Sequence, residues 1–174
     1  MKNIRSVVDH ELTWSQQSAF KSEFELRFGG ELVATLRLPK KISTIGVAES
    51  GDGSWTFERI GFWKMKTVVK ASGSTEELAS YTSNAWKPGG VLQLPNGKKF
   101  TFWRSGWKGI SEFRTEEGEP LFQIHYRASF RVSASVRINR RALQIPEHPW
   151  MVLLGFYLGV MARRDATKHA AGGA

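Results

Sequence analysis

The stretch WMVLLGFYLGVMA, residues 150 to 162, contains no charged residue and is followed by Arg163, Arg164 and Asp165. A surface helix carries one apolar stripe, so a helix that is apolar on every face must be surrounded on every side. These 13 residues span about 20 Å as a helix, which is short of the roughly 30 Å hydrocarbon layer of a membrane. The stretch therefore predicts a helix that is buried inside protein.

The chain before this helix consists mainly of segments in which apolar and polar residues alternate, and a period of two indicates β-strands. The clearest hairpin joins residues 24–28 to 32–38 through Gly29-Gly30, with Leu32 on the apolar face and Val33 on the polar face. A loop is expected at 46–53. The other predicted strands cover 12–14, 55–57, 64–71, 78–82, 91–94, 98–104, 107–114, 120–126, 130–138 and 143–145.

Two of these segments carry stronger signals than the rest. Asn96-Gly97 predicts a tight turn between strands, because both residues tolerate positive φ. From Phe130 to Ile138 the alternation is uninterrupted, which predicts one core face, including Phe130, and one solvent face. The total of eleven or twelve strands is typical of an all-β barrel or sandwich.

We expect a mainly β fold in which a closed antiparallel barrel of roughly 12 strands surrounds the central C-terminal helix, since closure removes both unpaired sheet edges and covers the apolar helix. Pro146 and Pro149 end the sheet and begin the helix, predicted to cover 148–164. Residues 1–165 are predicted to form one domain, and 166–174 a flexible tail. The helix is expected to bury its large side chains, which are Trp150, Met151, Val152, Leu153, Leu154, Phe156, Tyr157, Leu158, Val160 and Met161.

Gly155 and Gly159 have the GxxxG spacing that brings membrane helices together. Because the apolar run is too short to span a membrane, we expect these glycines to let the surrounding strands approach the helix backbone.

The chain is basic and contains no cysteine. Its net charge is +9; residues 1–87 hold 12 Lys/Arg against 10 Asp/Glu, and residues 88–174 hold 13 against 6. A basic excess favours anionic partners such as phospholipid head groups or nucleic acid, and it also keeps a small domain soluble. The absence of cysteine excludes disulfides, thiolate metal sites and thiol catalysis. Together with an N-terminus that lacks the pattern of a secretory signal, it favours a cytoplasmic protein, with peripheral membrane association as a possible addition.

The candidate anion-binding surface is a basic wall of the barrel. Lys64, Lys66 and Lys70 share the outward face of one predicted strand, on which alternate positions lie about 7 Å apart. Near an anionic membrane, each basic residue contributes about 1 kcal/mol. Lysines on exposed strands also prevent edge pairing, so this alternative stays open. The remaining members of the candidate wall are placed on a neighbouring hairpin: Lys98, Lys99, Arg104 and Lys108.

Motifs for catalysis and metal binding are missing from the sequence. Glu76-Glu77 and Glu116-Glu117 lie beside turn residues and are expected to be solvated. There is no nucleophile elbow, no P-loop and no dinucleotide fingerprint, so we expect a non-enzymatic protein without cofactor or metal. No metal-ligand spacing is found among the four histidines, His10, His125, His148 and His169.

Nucleic-acid binding is a third possibility, because aromatic side chains near basic residues can stack on bases. The tryptophans in question are Trp55, Trp63, Trp103 and Trp107. Tryptophan also fills the interior of a barrel, and we expect these residues to pack in the core.

The segments GDGSWTFERIGFWKMKTVVKASG (51–73) and PEHPWMVLLGFYLGVMARR (146–164), with the strand order, resemble the tubby C-terminal-like superfamily. This group includes LURP-one-related proteins and phospholipid scramblases, and the resemblance covers about residues 11–164. It implies a barrel threaded by a hydrophobic helix. It also implies a binding or adaptor role, since tubby domains bind phosphoinositides through basic residues on the barrel wall.

The chain departs from the scramblase pattern, because it lacks a cysteine-rich palmitoylation segment, a proline-rich arm and an acidic calcium loop. No head-group residue of the family is carried over to this sequence. We therefore expect a domain that binds anionic phospholipid, with an unidentified protein partner as the alternative.

Overall fold

The computed structural model describes residues 1–39, 43–61, 65–84 and 86–172. In this part of the chain, two 3₁₀ helices (Ile4–Val7 and Arg140–Gln144) and one α-helix, α1 (His148–Gly172), accompany the strands. The strands are β1 (Glu11–Gln16), β2 (Glu23–Phe28), β3 (Glu31–Arg37), β4 (Ile45–Ser50), β5 (Gly53–Ile60), β6 (Lys66–Ala71), β7 (Glu77–Ser83), β8 (Gly89–Gln93), β9 (Lys99–Ser105), β10 (Ile110–Arg114), β11 (Pro120–Arg127) and β12 (Ser133–Ile138).

The twelve strands form one closed antiparallel barrel. Each strand pairs with its neighbours in sequence, and β12 pairs with β1 with Arg137 opposite Glu11, which closes the circle. This confirms the predicted barrel around a C-terminal helix. In such an up-and-down barrel, successive connections alternate between the two ends. We call the end at which α1 begins the closed end, and the end at which it emerges the open end.

α1 fills the barrel interior from Trp150 to Met161, and the large side chains predicted to be buried are all at most 9% exposed. The indole of Trp14 on β1 stacks on Phe156, with ring centroids 4.2 Å apart. A Cβ at Gly159 would lie 1.7 Å from the hydroxyl of Tyr126. The expectation that the helix glycines admit the surrounding strands is therefore confirmed.

The predicted end of the helix at Arg164 was wrong, because α1 continues to Gly172. Its last turns contain Ala166, Ala170 and Ala171, and alanine has the highest helix propensity. The hydroxyl of Thr167 also donates to the Arg163 carbonyl, one turn earlier. Residues 166–172 are thus a helical extension beyond the barrel rather than the predicted tail.

Two further assignments were wrong because local contacts override the sequence pattern. Residues 143–145 do not form a strand, because the side chain of Asn139 accepts the N–H of Arg141 and begins a 3₁₀ helix there. The loop predicted at 46–53 is largely β4. Gly46 sits inside this strand because a Cβ there would lie 2.8 Å from the ring of Tyr157.

Two apolar side chains lie on the opposite face from the one predicted. A bulge shifts the β2–β3 register between Leu26 and Arg27, so Val33 is fully buried and Leu32 only partly buried. Phe130 is 91% exposed because β12 begins only at Ser133.

The N-terminal segment covers the closed end of the barrel. Ile4 and Val7 are at most 1% exposed and belong to the core. The N–H of Ile4 donates to the Asp52 carboxylate at 2.5 Å, and Arg5 donates to the Pro146 carbonyl at 2.5 Å. The start of the chain therefore connects the β4–β5 turn to the beginning of α1, a role that sequence analysis did not assign.

Candidate functional site

The structure does not bring the predicted basic wall together. Lys66 and Lys70 face outward on β6, whereas Lys99 faces outward on β9, three strands and about 14 Å away. Lys64 lies outside the described residues. The predicted hairpin is therefore not adjacent to the predicted strand, because β7 separates them.

The other three candidates of that hairpin point in different directions. Lys98 belongs to the β8–β9 turn at the closed end, with its Nζ 5.2 Å from the ring centroid of Phe100. Arg104 follows Phe100 and Phe102 on the inward face of β9, at the open end. Lys108 lies in the β9–β10 connection, also at the open end.

Acidic residues also accompany the lysines on the outer face of β6. Lys66 forms an ion pair with Glu77 at 3.3 Å, and Glu58 on β5 lies opposite Val68. The ion pair spans the outward position of Val68, which is only 3% exposed. This part of the wall is charge-balanced, which makes it a poor anion-binding surface.

A different set of residues stands out at the open end. Among the described residues, the four most exposed large aromatic side chains are 82–96% exposed and lie on four separate connections at this end. Each is followed directly by a basic residue. We call this set the open rim. It consists of Phe20-Lys21 (β1–β2), Trp86-Lys87 (β7–β8), Trp107-Lys108 (β9–β10) and Phe130-Arg131 (β11–β12).

The four connections of the open rim are consecutive around the barrel. The strand order β1-β12-β11-β10-β9-β8-β7 places them side by side along one arc. No acidic residue occurs in the described part of these connections. In the described residues of the other two connections at this end, no aromatic residue is followed by a basic one, so these connections are not included in the site.

The five hairpin turns at the closed end have the opposite character. They contain no aromatic residue, and they hold five acidic residues against one basic residue, Lys98. The acidic residues are Asp52, Glu76, Glu116, Glu117 and Glu119. Exposed aromatic surface and positive charge are thus concentrated together at one end of the barrel.

Arginines at the end of the apolar run connect α1 to the connections of the open end. Arg163 donates to the Ser129 carbonyl at 2.9 Å, and Arg164 donates to the Ser22 hydroxyl at 2.7 Å. Burial lowers the pKa of Arg164 from its ordinary value. Because the helix holds two connections of the open rim, the rim is positioned by the buried core.

Of the cavities that open beside α1 at this end, two are lined by Arg104, with volumes of about 690 and 310 Å³. The larger cavity contains the bidentate pair between Arg59 and Asp165, with N–O distances of 2.7 and 3.2 Å. Tyr81 also lines it, and burial raises the pKa of its phenol to about 12. The phenol therefore stays protonated at neutral pH and acts as a hydrogen-bond donor.

Of the three tryptophans in that set that the structure describes, Trp55 alone packs in the core as expected, at 8% exposure. Trp103 faces outward on β9, where the Arg114 guanidinium lies 5.3 Å from its ring centroid, and Trp107 is 88% exposed. Trp63 lies outside the described residues. The signal that identifies the open rim is an aromatic–basic pair repeated in four connections. The predicted strands include two of these pairs, at 107–108 and 130–131, and the other two lie outside every predicted strand.

The histidines and paired carboxylates do not form a site. Among the residues that the structure describes, no group of three or more His, Asp or Glu side chains is placed to hold a metal ion. His148 is fully buried at the closed end, where its Nδ1 lies 2.9 Å from the Ile145 carbonyl oxygen. Both Glu76-Glu77 and Glu116-Glu117 are exposed, as predicted for turn residues.

Comparisons with known proteins identify the fold and no function. No family model matches the chain, and no curated protein sequence matches it. A solved structure of the Arabidopsis thaliana protein AT5G01750 is similar over 90% of this chain and 95% of that one, with a TM-score of 0.57 and 15% identity. Within the described residues, no helix has both the length and the apolar character needed to cross a membrane.

Proposed function

We propose that this protein is a peripheral binding domain for anionic phospholipid surfaces, and that it docks through the open rim rather than through the barrel wall. The observation that carries the proposal is the arrangement of four exposed aromatic side chains, each followed by a basic residue, along one end of the barrel. Anionic phospholipid is the ligand class expected from the sequence, whereas the proposed site is the open rim instead of the barrel wall.

The two kinds of side chain in the open rim suit the two layers of a membrane surface. Tryptophan and other aromatic rings partition to the interface between head groups and acyl chains. Each Lys or Arg near an anionic leaflet adds about 1 kcal/mol. The basic residues Lys21, Lys87, Lys108 and Arg131 would together contribute roughly 4 kcal/mol, without opposing charge from the described parts of their connections.

The placement of the aromatic residues favours a membrane over a nucleic acid. Single-stranded nucleic acid is held by stacking platforms along a continuous positively charged groove. Here the rings of Phe20, Trp86, Trp107 and Phe130 project from separate connections along a rim. These connections belong to one end of the barrel, so their rings suit contact with an extended surface better than stacking along a groove.

We also propose membership of the tubby-like superfamily, because the barrel threaded by a C-terminal helix is the arrangement that the sequence resemblance implied. A binding or adaptor role without catalysis follows from the same resemblance.

Vesicle sedimentation with charge-matched variants tests the proposed function. The rim variant is Lys87→Gln with Lys108→Gln, and the control is Lys66→Gln with Lys70→Gln on the wall, which removes the same net charge. We expect wild-type protein to sediment with vesicles containing phosphatidylserine and not with phosphatidylcholine alone. The rim variant should bind about 30-fold more weakly, since two lysines contribute about 2 kcal/mol, and the control should bind as wild type does.

Equal loss in both variants would contradict docking through the rim, because net charge alone would then explain binding. No sedimentation with either vesicle would contradict lipid binding itself. In that case the exposed rim would be better explained as an interface for a protein partner.

A further inference from the structure

The smaller cavity at the open end contains polar groups that the described structure leaves without partners. It has a volume of about 310 Å³ and lies between β9, β10, β11 and α1. The residues that define its chemistry are Arg104, Ser111, Tyr126, Gly159, Ala162 and Arg163.

Ser111 is the most informative of these residues. Its side chain is fully buried, yet its Oγ has no hydrogen-bond partner. A buried hydroxyl without a partner costs about 1–3 kcal/mol. It faces the same side as Phe113, the barrel interior, and it lines the cavity. Such a donor is satisfied when a ligand with acceptor oxygens fills the cavity.

Arg104 lies directly opposite Ser111 in the β9–β10 register, and both side chains line the cavity. Among the described residues, Arg104 has no hydrogen-bond acceptor and no ion-pair partner. By contrast, Arg59 in the neighbouring cavity is neutralised by Asp165 at 2.7 Å. Arg163 adds a second positive charge, although it also donates to the Ser129 carbonyl. No described carboxylate lines this cavity.

The helix provides the space for a ligand. Gly159 and Ala162 present almost no side chain toward the cavity, and the hydroxyl of Tyr126 lies directly over Gly159. Burial raises the pKa of Tyr126 above its ordinary value, and its hydroxyl donates to the Gly155 carbonyl oxygen at 3.4 Å. Two guanidinium groups and the Ser111 hydroxyl therefore surround one small space.

We propose that this cavity binds a phosphate monoester group. A phosphate monoester carries close to two negative charges at neutral pH and three strong acceptor oxygens, which matches the two arginines and the Ser111 hydroxyl. The cavity borders the connection that carries Trp107. Binding of a lipid head group in this cavity therefore rests on the proposed function, because the open rim must first dock on a membrane. A soluble phosphate ester can reach the cavity without a membrane.

Calorimetric titration with glycerol 3-phosphate at low salt tests the cavity without vesicles. Ser111→Ala should weaken binding about tenfold, and Arg104→Gln about 100-fold, since hydrogen bonds to charged groups contribute 1.5–3 kcal/mol. Ser111→Ala should leave the melting temperature unchanged or raised, because it removes a buried hydroxyl without a partner. Arg137→Gln, an exposed arginine on β12, is the matched control and should bind as wild type does.

A second arm uses vesicles of phosphatidylcholine with and without phosphatidic acid. If the phosphate comes from lipid, Arg104→Gln should reduce binding to phosphatidic acid more than binding to phosphatidylserine, whose phosphate is a diester. If the natural ligand is a soluble phosphate ester, glycerol 3-phosphate should bind, and the protein should not prefer phosphatidic acid over phosphatidylserine. Both results support a phosphate monoester site.

The proposal is overturned if glycerol 3-phosphate does not bind, or if it binds equally to wild type, Ser111→Ala and Arg104→Gln. Its failure is distinguishable from that of the proposed function. The rim variant Lys87→Gln with Lys108→Gln should lose vesicle binding and keep glycerol 3-phosphate binding.

Discussion

The two ends of the barrel differ in their aromatic content and in how far their side chains are buried. At the closed end, the turns contain no aromatic residue and the N-terminal segment buries Ile4 and Val7 over the start of α1. At the open end, four connections each expose a large aromatic ring, and cavities lie beside the helix. Closing the barrel does not require these rings, since they contribute little buried surface. The closed end therefore contributes buried contacts to the fold, whereas the surface that we propose for binding lies at the open end.

A matched pair of truncations should give the largest difference between the ends. Ile4→Ala removes a fully buried side chain at the closed end and should lower the free energy of unfolding by about 2–5 kcal/mol. Phe130→Ala removes a 91% exposed ring at the open end and should change it by less than about 0.5 kcal/mol. Denaturant unfolding of both variants measures the two changes.

In vesicle sedimentation, the same two variants should rank the other way. Phe130→Ala should bind vesicles more weakly than wild type, and folded Ile4→Ala should bind as wild type does. A large loss of stability in Phe130→Ala would show that the open rim is part of the folded core, which would break the comparison.

The pH dependence of the unfolding free energy should distinguish the two ends by a smaller effect. His148 is buried at the closed end, and burial lowers its pKa from the ordinary value; the nearby charged groups are Arg5, which also lowers it, and Asp52, which raises it. Below about pH 6.5, the unfolded chain therefore binds a proton that the folded chain does not. The corresponding stability is present above this pH and is lost as pH falls toward the lower pKa of folded His148.

We therefore expect His148→Gln to flatten the dependence of unfolding free energy on pH below about 6.5. His125→Gln, at an exposed histidine on β11, is the control and should keep the wild-type slope. An unchanged slope in His148→Gln would show that the closed end does not exclude the protonated imidazole.

The sequence predicted the barrel because its two signals, strand alternation and an apolar helix, are local and strong. It missed β4, because Gly46 resembles a turn residue until the ring of Tyr157 is known to lie against it. It grouped Lys66 and Lys99 into one basic wall, because only the closed sheet reveals the order of the strands that separate them. The hydroxyl of Ser111 carried no sequence signal, since its lack of a partner depends on the three-dimensional surroundings.

The most direct test of the account places one environment-sensitive fluorophore at each end of the barrel. The chain contains no cysteine, so Ala128→Cys beside the open rim and Thr75→Cys at the closed end each provide one labelling position. On addition of vesicles containing phosphatidylserine, we predict a blue shift for the label at position 128 and no change at position 75. A response at position 75 without one at position 128, or equal responses at both, would contradict docking through the open end.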